Sequence, residues 1–279
     1  MMRELTLIQL PYDSGRFDVR MGRGPSALIG AGIAAELNAK GKHVAAVAAH
    51  LPDGCIGEGE ALVQLQRQGC AAVRGAIQTG SRPILLSGNC GPAALSAIAA
   101  LGAASTGVIW FDAHGDFNTP ETSPSGFLDG MGLAILVGDT WRQLATRFAE
   151  FEPTHPEHIV QIGVRDCDPE EEMRLAHSGI RRIGSQDLRQ LEPALAELAQ
   201  HVSRVYVHVD VDVVDVSEGR ANTYACAGGL SLDELLRALE MIAAALPIAA
   251  GSITSYDPAA DEDGRIGRAI PRIVERLAL

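Results

Sequence analysis

Residues 204–215, RVYVHVDVDVVD, alternate valines with tyrosine, histidine and aspartates, and their reading decides the fold. A run this rich in β-branched residues is a strand, and one this apolar is a strand buried on both faces, as in a parallel sheet. Working outward, similar short runs recur: LTLIQL (5–10), HVAAVAA (43–49), PILLSG (83–88), TGVIWFD (106–112), HIVQIGV (158–164) and AAGSITSYD (249–257). Between them lie Ala- and Leu-rich segments of helical length at 27–40, 59–79, 92–101, 133–150, 191–202 and 232–246. That alternation predicts an α/β fold, a three-layer α/β/α sandwich with a central, mainly parallel sheet. With no internal repeat and no Gly/Ser- or Pro-rich linker, residues 1–279 read as one domain.

At 279 residues and 47% apolar content the chain can bury a sizeable core. Its net charge of -12 argues against nucleic acid or an anionic membrane surface as partner, because both need clustered Lys and Arg. Cys55, Cys70, Cys90, Cys167 and Cys226 are odd in number and lack framework spacing, so a reducing cytoplasm is the expected location. The opening MMRELTLIQLPYDSG reaches Pro11 and Asp13 before a signal-peptide core could form, and no later run is long enough to span a membrane.

In open α/β sheets ligands bind beyond the C-terminal strand ends. Three strand ends here carry potential ligands: PILLSGNC, VIWFDAHGD and VYVHVDVDVVD. On an extended chain the spacing of Asp112, His114 and Asp116 would put all three side chains on one face. Asp210 and Asp212 likewise share a face, while Asp215, offset by three, shapes the following turn. Carboxylates buried together without a cation repel and cost several kcal/mol, and a divalent pair removes that conflict. Carboxylates with an imidazole suit manganese, with zinc, iron or cobalt also open, and two ions roughly 3.5–4 Å apart would share a hydroxide near neutral pH.

FDAHGD followed by HVDVDVVD resembles the arginase, agmatinase and formiminoglutamase family, the ureohydrolases. The likeness extends through MGRGPSAL (21–28), IGVRDCDPEEE (162–172) and AGGLSLDEL (227–235). The resemblance implies that Asp112 and Asp210 bridge two manganese ions, that Asp116 holds the first, and that His114 and Asp212 hold the second. It further implies a metal-dependent hydrolase of a non-peptide C–N bond. A bridging hydroxide would attack a planar carbon, and Asp116 would pass a proton to the leaving nitrogen.

Three positions depart from the family pattern. Its Gly-Gly-Asp-His becomes SGNCG (87–91), which puts Cys90 in the place of a histidine ligand of the first ion. A thiolate there would shift preference toward zinc or iron, and the alternative is a small buried core cysteine. Asp129, in SPSGFLDGMG, stands where arginases carry a proton-shuttling histidine. It reads as a catalytic acid or base, as a holder of a cationic substrate nitrogen, or as a turn residue before Gly130. Ser255, in SITSYDP, stands where a glutamate would meet the guanidinium, so arginine is not the implied substrate unless Asp129 or Asp257 supplies the anion.

For the rest of the substrate site, Asp168 matches the carboxylate that meets an α-amino group, and Asn118 and Ser125 match residues near an α-carboxylate. Phe127 and Tyr224 would reshape the pocket. Asp168 and Glu171 also read as helix first-turn acids, and His208 reads as a core or ligand-supporting histidine. The implied partner is a small amino-acid-like molecule of amidino, guanidino or formimino type, and the implied assembly is a homo-oligomer, a trimer or hexamer. The alternative is a degenerate member that keeps one metal or none and binds a small ligand or a partner.

Overall fold

The structure, a computed structural model, describes residues 4–52 and 57–279. The first half of the chain forms β1 (Glu4–Leu10), a hairpin of β2 (Tyr12–Asp13) and β3 (Arg16–Phe17), α1 (Arg23–Gly30), α2 (Ile33–Ala39), β4 (His43–Ala48), α3 (Glu58–Gln78), β5 (Arg82–Ser87), α4 (Cys90–Leu101), β6 (Thr106–Phe111) and α5 (Gly132–Leu136). The second half forms α6 (Arg142–Ala145), β7 (Ile159–Ile162), α7 (Pro169–Ala176), β8 (Arg181–Ile183), α8 (Leu191–Leu198), β9 (Arg204–Asp210), α9 (Leu232–Ala245), β10 (Ile248–Thr254) and α10 (Arg265–Leu277). Apart from the hairpin, the strands build one parallel sheet in the order β4-β1-β5-β10-β9-β6-β7-β8.

The period-2 alternation of each strand divides its side chains between two cores. Leu5, Leu7, Ile84, Leu86, Ile109, Phe111, Val205, Val207 and Val209 face a core closed by α1, α2, α8, α9 and α10. Ile8, Leu10, Leu85, Val108, Trp110 and Tyr206 face the opposite core, under α3, α4 and α5. The three expected layers are therefore present, with the sheet fully parallel. Helix α4 is buried at every position but Ala100, as a helix apolar on all sides must be, and this pins its first turn against the sheet.

Several boundaries differ from the sequence reading. The segment 27–40 is two helices, because Gly32 takes a left-handed conformation (φ 87°) between them. Likewise, 133–150 is broken after α5 at Gly138 (φ 74°) and Trp141 (φ 51°). Strand β8 is three residues long, too short to leave a periodic signal. Helix α10, absent from the sequence reading, buries Ile266, Ile270, Ile273, Val274 and Leu277 along one helical stripe. Cys70, Cys90, Cys167 and Cys226 are free thiols, and Cys55 lies outside the described residues. Among the described residues no helix is long and apolar enough to cross a membrane.

Candidate metal centre

The central strands β5, β10, β9 and β6 deliver their C-terminal ends to one edge of the sheet. Strand β5 passes through Gly88 and Asn89 into α4, whose first residue is Cys90; β6 is followed at once by Asp112; β9 ends on Asp210; and β10 is followed by Ser255. Register aligns these ends, since Thr254 pairs with both Ser87 and Asp210 while Phe111 pairs with Val209. A cleft of about 470 Å³ opens over them, lined by Cys90, His114, Asp116, Asp129, Asp210 and Asp212 in its depths. Asn118, Ser125, Asp168, Tyr224 and Ser255 line the same cleft. Asp112, 1% exposed, lies beneath its floor.

The extended conformation persists only to the strand ends. Strand β6 stops at Phe111, and Asp116 sits at φ 51°, a left-handed conformation uncommon outside glycine. Asp212 lies in a 3-10 turn, Val211–Val213, rather than on β9, and donates its backbone N–H to Asp210 Oδ1 at 3.0 Å. Tight turns, not a common strand face, bring the carboxylates together. Asp215 shapes the next turn as read: the Ser217 side chain, and then the backbone N–H groups of Ser217, Gly229 and Gly228 that it accepts from, hold its carboxyl below the usual range.

The electrostatics are those of an anionic pocket. Burial raises Asp112, Asp116 and Asp210 above the ordinary carboxyl range, and each is raised further by a neighbouring carboxylate: Asp212 acts on Asp112 and Asp210, and Asp112 acts on Asp116. Asp112 is anchored by Trp110 Nε1 (3.0 Å) and the His114 N–H (2.7 Å). His114 places Nδ1 3.3 Å from Asp112 and 3.4 Å from Asp212. Burial opposes its protonation, but the hydrogen bond to Asp112 and the surrounding carboxylates outweigh that and push it up to about 11. The buried Oδ2 of Asp116 has no hydrogen-bond partner, a costly state for a carboxylate oxygen of a residue that lines the cleft.

These residues fit a divalent cation. Donor atoms of Asp112, His114 and Asp212 lie within 4.8 Å of one another, and so do those of Cys90, Asp112 and His208. An ion would relieve the like-charge repulsion and give the orphan Asp116 oxygen a partner. The model of the Arginase family matches residues 3–279. The chain belongs to that family. It is 31% identical to the arginase of Bacillus caldovelox over 286 residues, covering 94% of this chain and 93% of that protein. The solved native arginase structure from that organism has a TM-score of 0.87 at 28% identity, over 99% of this chain and 98% of that one. The arginase structure from Bacillus cereus has the same TM-score at 26% identity, over 99% and 98%.

Within this arginase-family cleft the divergent positions take definite places. Asp129 caps α4: Oδ1 accepts from the backbone N–H of Cys90 (2.8 Å) and Gly91 (3.1 Å), and Oδ2 accepts from Asn89 Nδ2 (2.8 Å). Burial nonetheless pushes its carboxyl up to about 7. Cys90 Sγ lies 3.1 Å from Asp210 Oδ2, 3.2 Å from Thr254 Oγ1 and 3.5 Å from Ser255 Oγ, and burial followed by the charge of Asp210 raises its thiol. Ser255 sits at φ 62°, a strained conformation for serine. Asp257 does not line the cleft, and its Oδ1 accepts from Ala259 N–H, whereas Asp129 does line it.

Further out, Asp168 forms a capping box with Glu171 at the start of α7 and accepts from Asn118 Nδ2 at 2.9 Å, so it serves helix and cleft at once. Ser125 Oγ accepts from the Phe127 N–H. Phe127 and Tyr224 stack with centroids 6.0 Å apart, and Tyr224, 44% exposed, forms part of the rim. Two site-supporting residues escaped the sequence reading. Asn222 Nδ2 bridges Asp212 Oδ2 and the Ser255 carbonyl, and the Arg165 guanidinium donates to the carbonyls of Gly163, Asp212, Cys226 and Ala227. Most of these bonds span 33–62 residues, separations over which spacing carries no signal.

Proposed function

We propose that this chain hydrolyses a non-peptide C–N bond of a small amidino, guanidino or formimino substrate with an amino-acid-like end. The observation that carries this reading is the buried cluster Asp112, Asp116, Asp210 and Asp212, whose like-charge repulsion a cation would relieve, at and just beneath the floor of a cleft sized for such a molecule. Two manganese ions held by Asp112, Asp116, Asp210, Asp212 and His114, with Cys90 at the divergent position, would supply an activated water and polarise the electrophilic carbon. Zinc, ferrous iron or cobalt are the alternatives that a sulfur donor brings in.

Asp116 is the proton carrier of this scheme. Its carboxylate would take the proton of the attacking water and return it to the leaving nitrogen. Asn222 and Arg165 hold the Asp212 turn in place. Asp168 receives the substrate's amino group, with Asn118 and Ser125 beside its carboxylate and Tyr224 closing the rim. Asp129, which lines the same cleft as Ser255, would hold a cationic nitrogen or act as acid and base. We further propose a cytoplasmic homo-oligomer, a trimer or hexamer.

The test is metal-dependent release of urea, formamide or ammonia from a panel of guanidino, formimino and amide compounds, with bound metal counted by elemental analysis. Turnover with two ions per chain supports the reading. A manganese-loaded protein with two ions and no turnover on the panel overturns it, and one ion or none favours the degenerate binding protein.

A further inference from the structure

On the α4 side of the sheet, Tyr206, His208 and Asp210 follow one another along β9 at intervals of two. Register sets His208 beside Trp110 on β6 and Ser252 on β10. Its ring stacks on the Trp110 indole with centroids 3.9 Å apart, and Trp110 in turn donates to Asp112. Nδ1 lies 3.1 Å from Tyr206 Oη and 3.0 Å from Ser252 Oγ, which fixes the ring and turns Nε2 toward Thr254, whose Oγ1 also meets the Cys90 sulfur. A structural histidine needs partners on its two nitrogens and no more. This one also presents a nitrogen within 4.8 Å of the Cys90 sulfur and an Asp112 oxygen, with all three residues buried.

Resting on the two-ion reading above, we propose that His208 is itself a metal ligand, closing with Cys90 and Asp112 a buried sulfur–nitrogen–oxygen site beneath the cleft at its divergent position. The second-nitrogen contacts to Tyr206 and Ser252 are the outer hydrogen bonds that a ligating imidazole characteristically makes. Zinc–sulfur and zinc–nitrogen bonds of about 2.3 and 2.0 Å imply ligand atoms roughly 3.5 Å apart, so modest side-chain adjustment closes the trio. Thr254 is the group that must give way. Its Oγ1 lies 3.2 Å from Cys90 Sγ and 3.3 Å from His208 Nε2, and it already reaches the Val209 carbonyl at 3.4 Å, to which it turns when a cation takes both neighbours. Thiolate and imidazole together select zinc, ferrous iron or cobalt over manganese at this position, while Asp112, His114 and Asp212 keep a manganese-like oxygen-rich set. The chain would thus hold two chemically different ions.

Cobalt(II) reports both ligands without reference to turnover. Titrated into the metal-free protein, it is expected to give a sulfur-to-cobalt charge-transfer band that Cys90→Ser abolishes. His208→Asn should shift the visible ligand-field bands and weaken binding by about a hundredfold, while Thr254→Val should keep the wild-type spectrum. A His208→Asn protein with wild-type bands and affinity overturns the assignment, as do equal effects of His208→Asn and Thr254→Val, which would make the histidine an indirect support. Should His208→Asn fail to fold, anomalous diffraction from zinc-loaded wild-type crystals decides, since an ion out of bonding reach of Nε2 overturns the proposal. A wild-type protein that binds no ion refutes the two-ion reading as well. One that binds two ions and hydrolyses substrate while the histidine variant matches it refutes the ligand assignment alone.

Discussion

Replacing Asp129 separates its two readings, helix cap and cleft acid. Its carboxylate accepts from the N–H groups of Cys90 and Gly91 and from Asn89 Nδ2. Asp129→Ala strands those three donors, each at roughly 1–3 kcal/mol. The adjoining cleft admits water to the vacated space, so the low end applies and the loss should be about 3 kcal/mol. Asp129→Asn keeps an acceptor for α4 but turns an amide donor toward Asn89, which cannot flip freely because its Oδ1 accepts from the Ser14 N–H at 2.8 Å. That clash costs about 1–2 kcal/mol. Asparagine also removes a titration. Burial raises Asp129 from 3.8 to about 7. The stability carried by the protonated carboxyl of the metal-free protein is therefore complete below pH 3.8, falls as pH rises, and is gone above about 7. Between pH of about 5 and 8 the fall is roughly 3 kcal/mol. Relative to wild type, Asp129→Asn should be weakest in mild acid and recover by about that amount in mild alkali. Urea unfolding of chelator-treated proteins across this range measures the difference. A wild-type-to-Asn gap that does not change with pH, or an Ala variant within about 0.5 kcal/mol of wild type, would refute the reasoning.

Arg165→Lys loses a fork spread over four carbonyls and should cost about 2–3 kcal/mol in chemical denaturation, with weaker metal uptake as the Asp212 turn slackens. Unchanged metal affinity would show that the arginine only braces the loop. Asp168→Asn retains the cap of α7 and should raise KM about tenfold with little change in stability, whereas Asp168→Ala should also lose about 1 kcal/mol. Equal KM for Asp168→Asn and wild type would remove Asp168 from the substrate site. His114→Asn should lower bound manganese by one ion per chain in elemental analysis and reduce turnover by at least about a hundredfold. Full metal content would exclude the imidazole as a ligand.

The convergence of Asp112, His114, Asp116, Asp210 and Asp212 is legible in the sequence because charge inside apolar strands is costly wherever it falls, whatever the fold does afterwards. The means of convergence is not legible. An alternating pattern looks the same whether the chain stays extended or, as at Asp116 and Asp212, turns out of the strand. Asp129 illustrates the complementary limit: a turn residue by composition, it becomes a cap for a helix that starts 39 residues earlier. Arg165 and Asn222 make bonds of the same long-range kind. Helix α10, by contrast, carries a plain helical stripe that could have been read, while β8 is too short for any period to register.

The strand order has a consequence for how the protein is made. β4-β1-β5 and β6-β7-β8 form two separate sheet halves, and the two strands that join them, β9 and β10, come last. During synthesis the nascent chain must hold two unpaired edges apart until residues 204–254 leave the ribosome and slot between them. Asp210 and Asp212 arrive on that late insert, so a partly made chain lacks two of the clustered carboxylates. Any truncation before β10 should leave an aggregation-prone fragment that depends on chaperones, not a weaker enzyme.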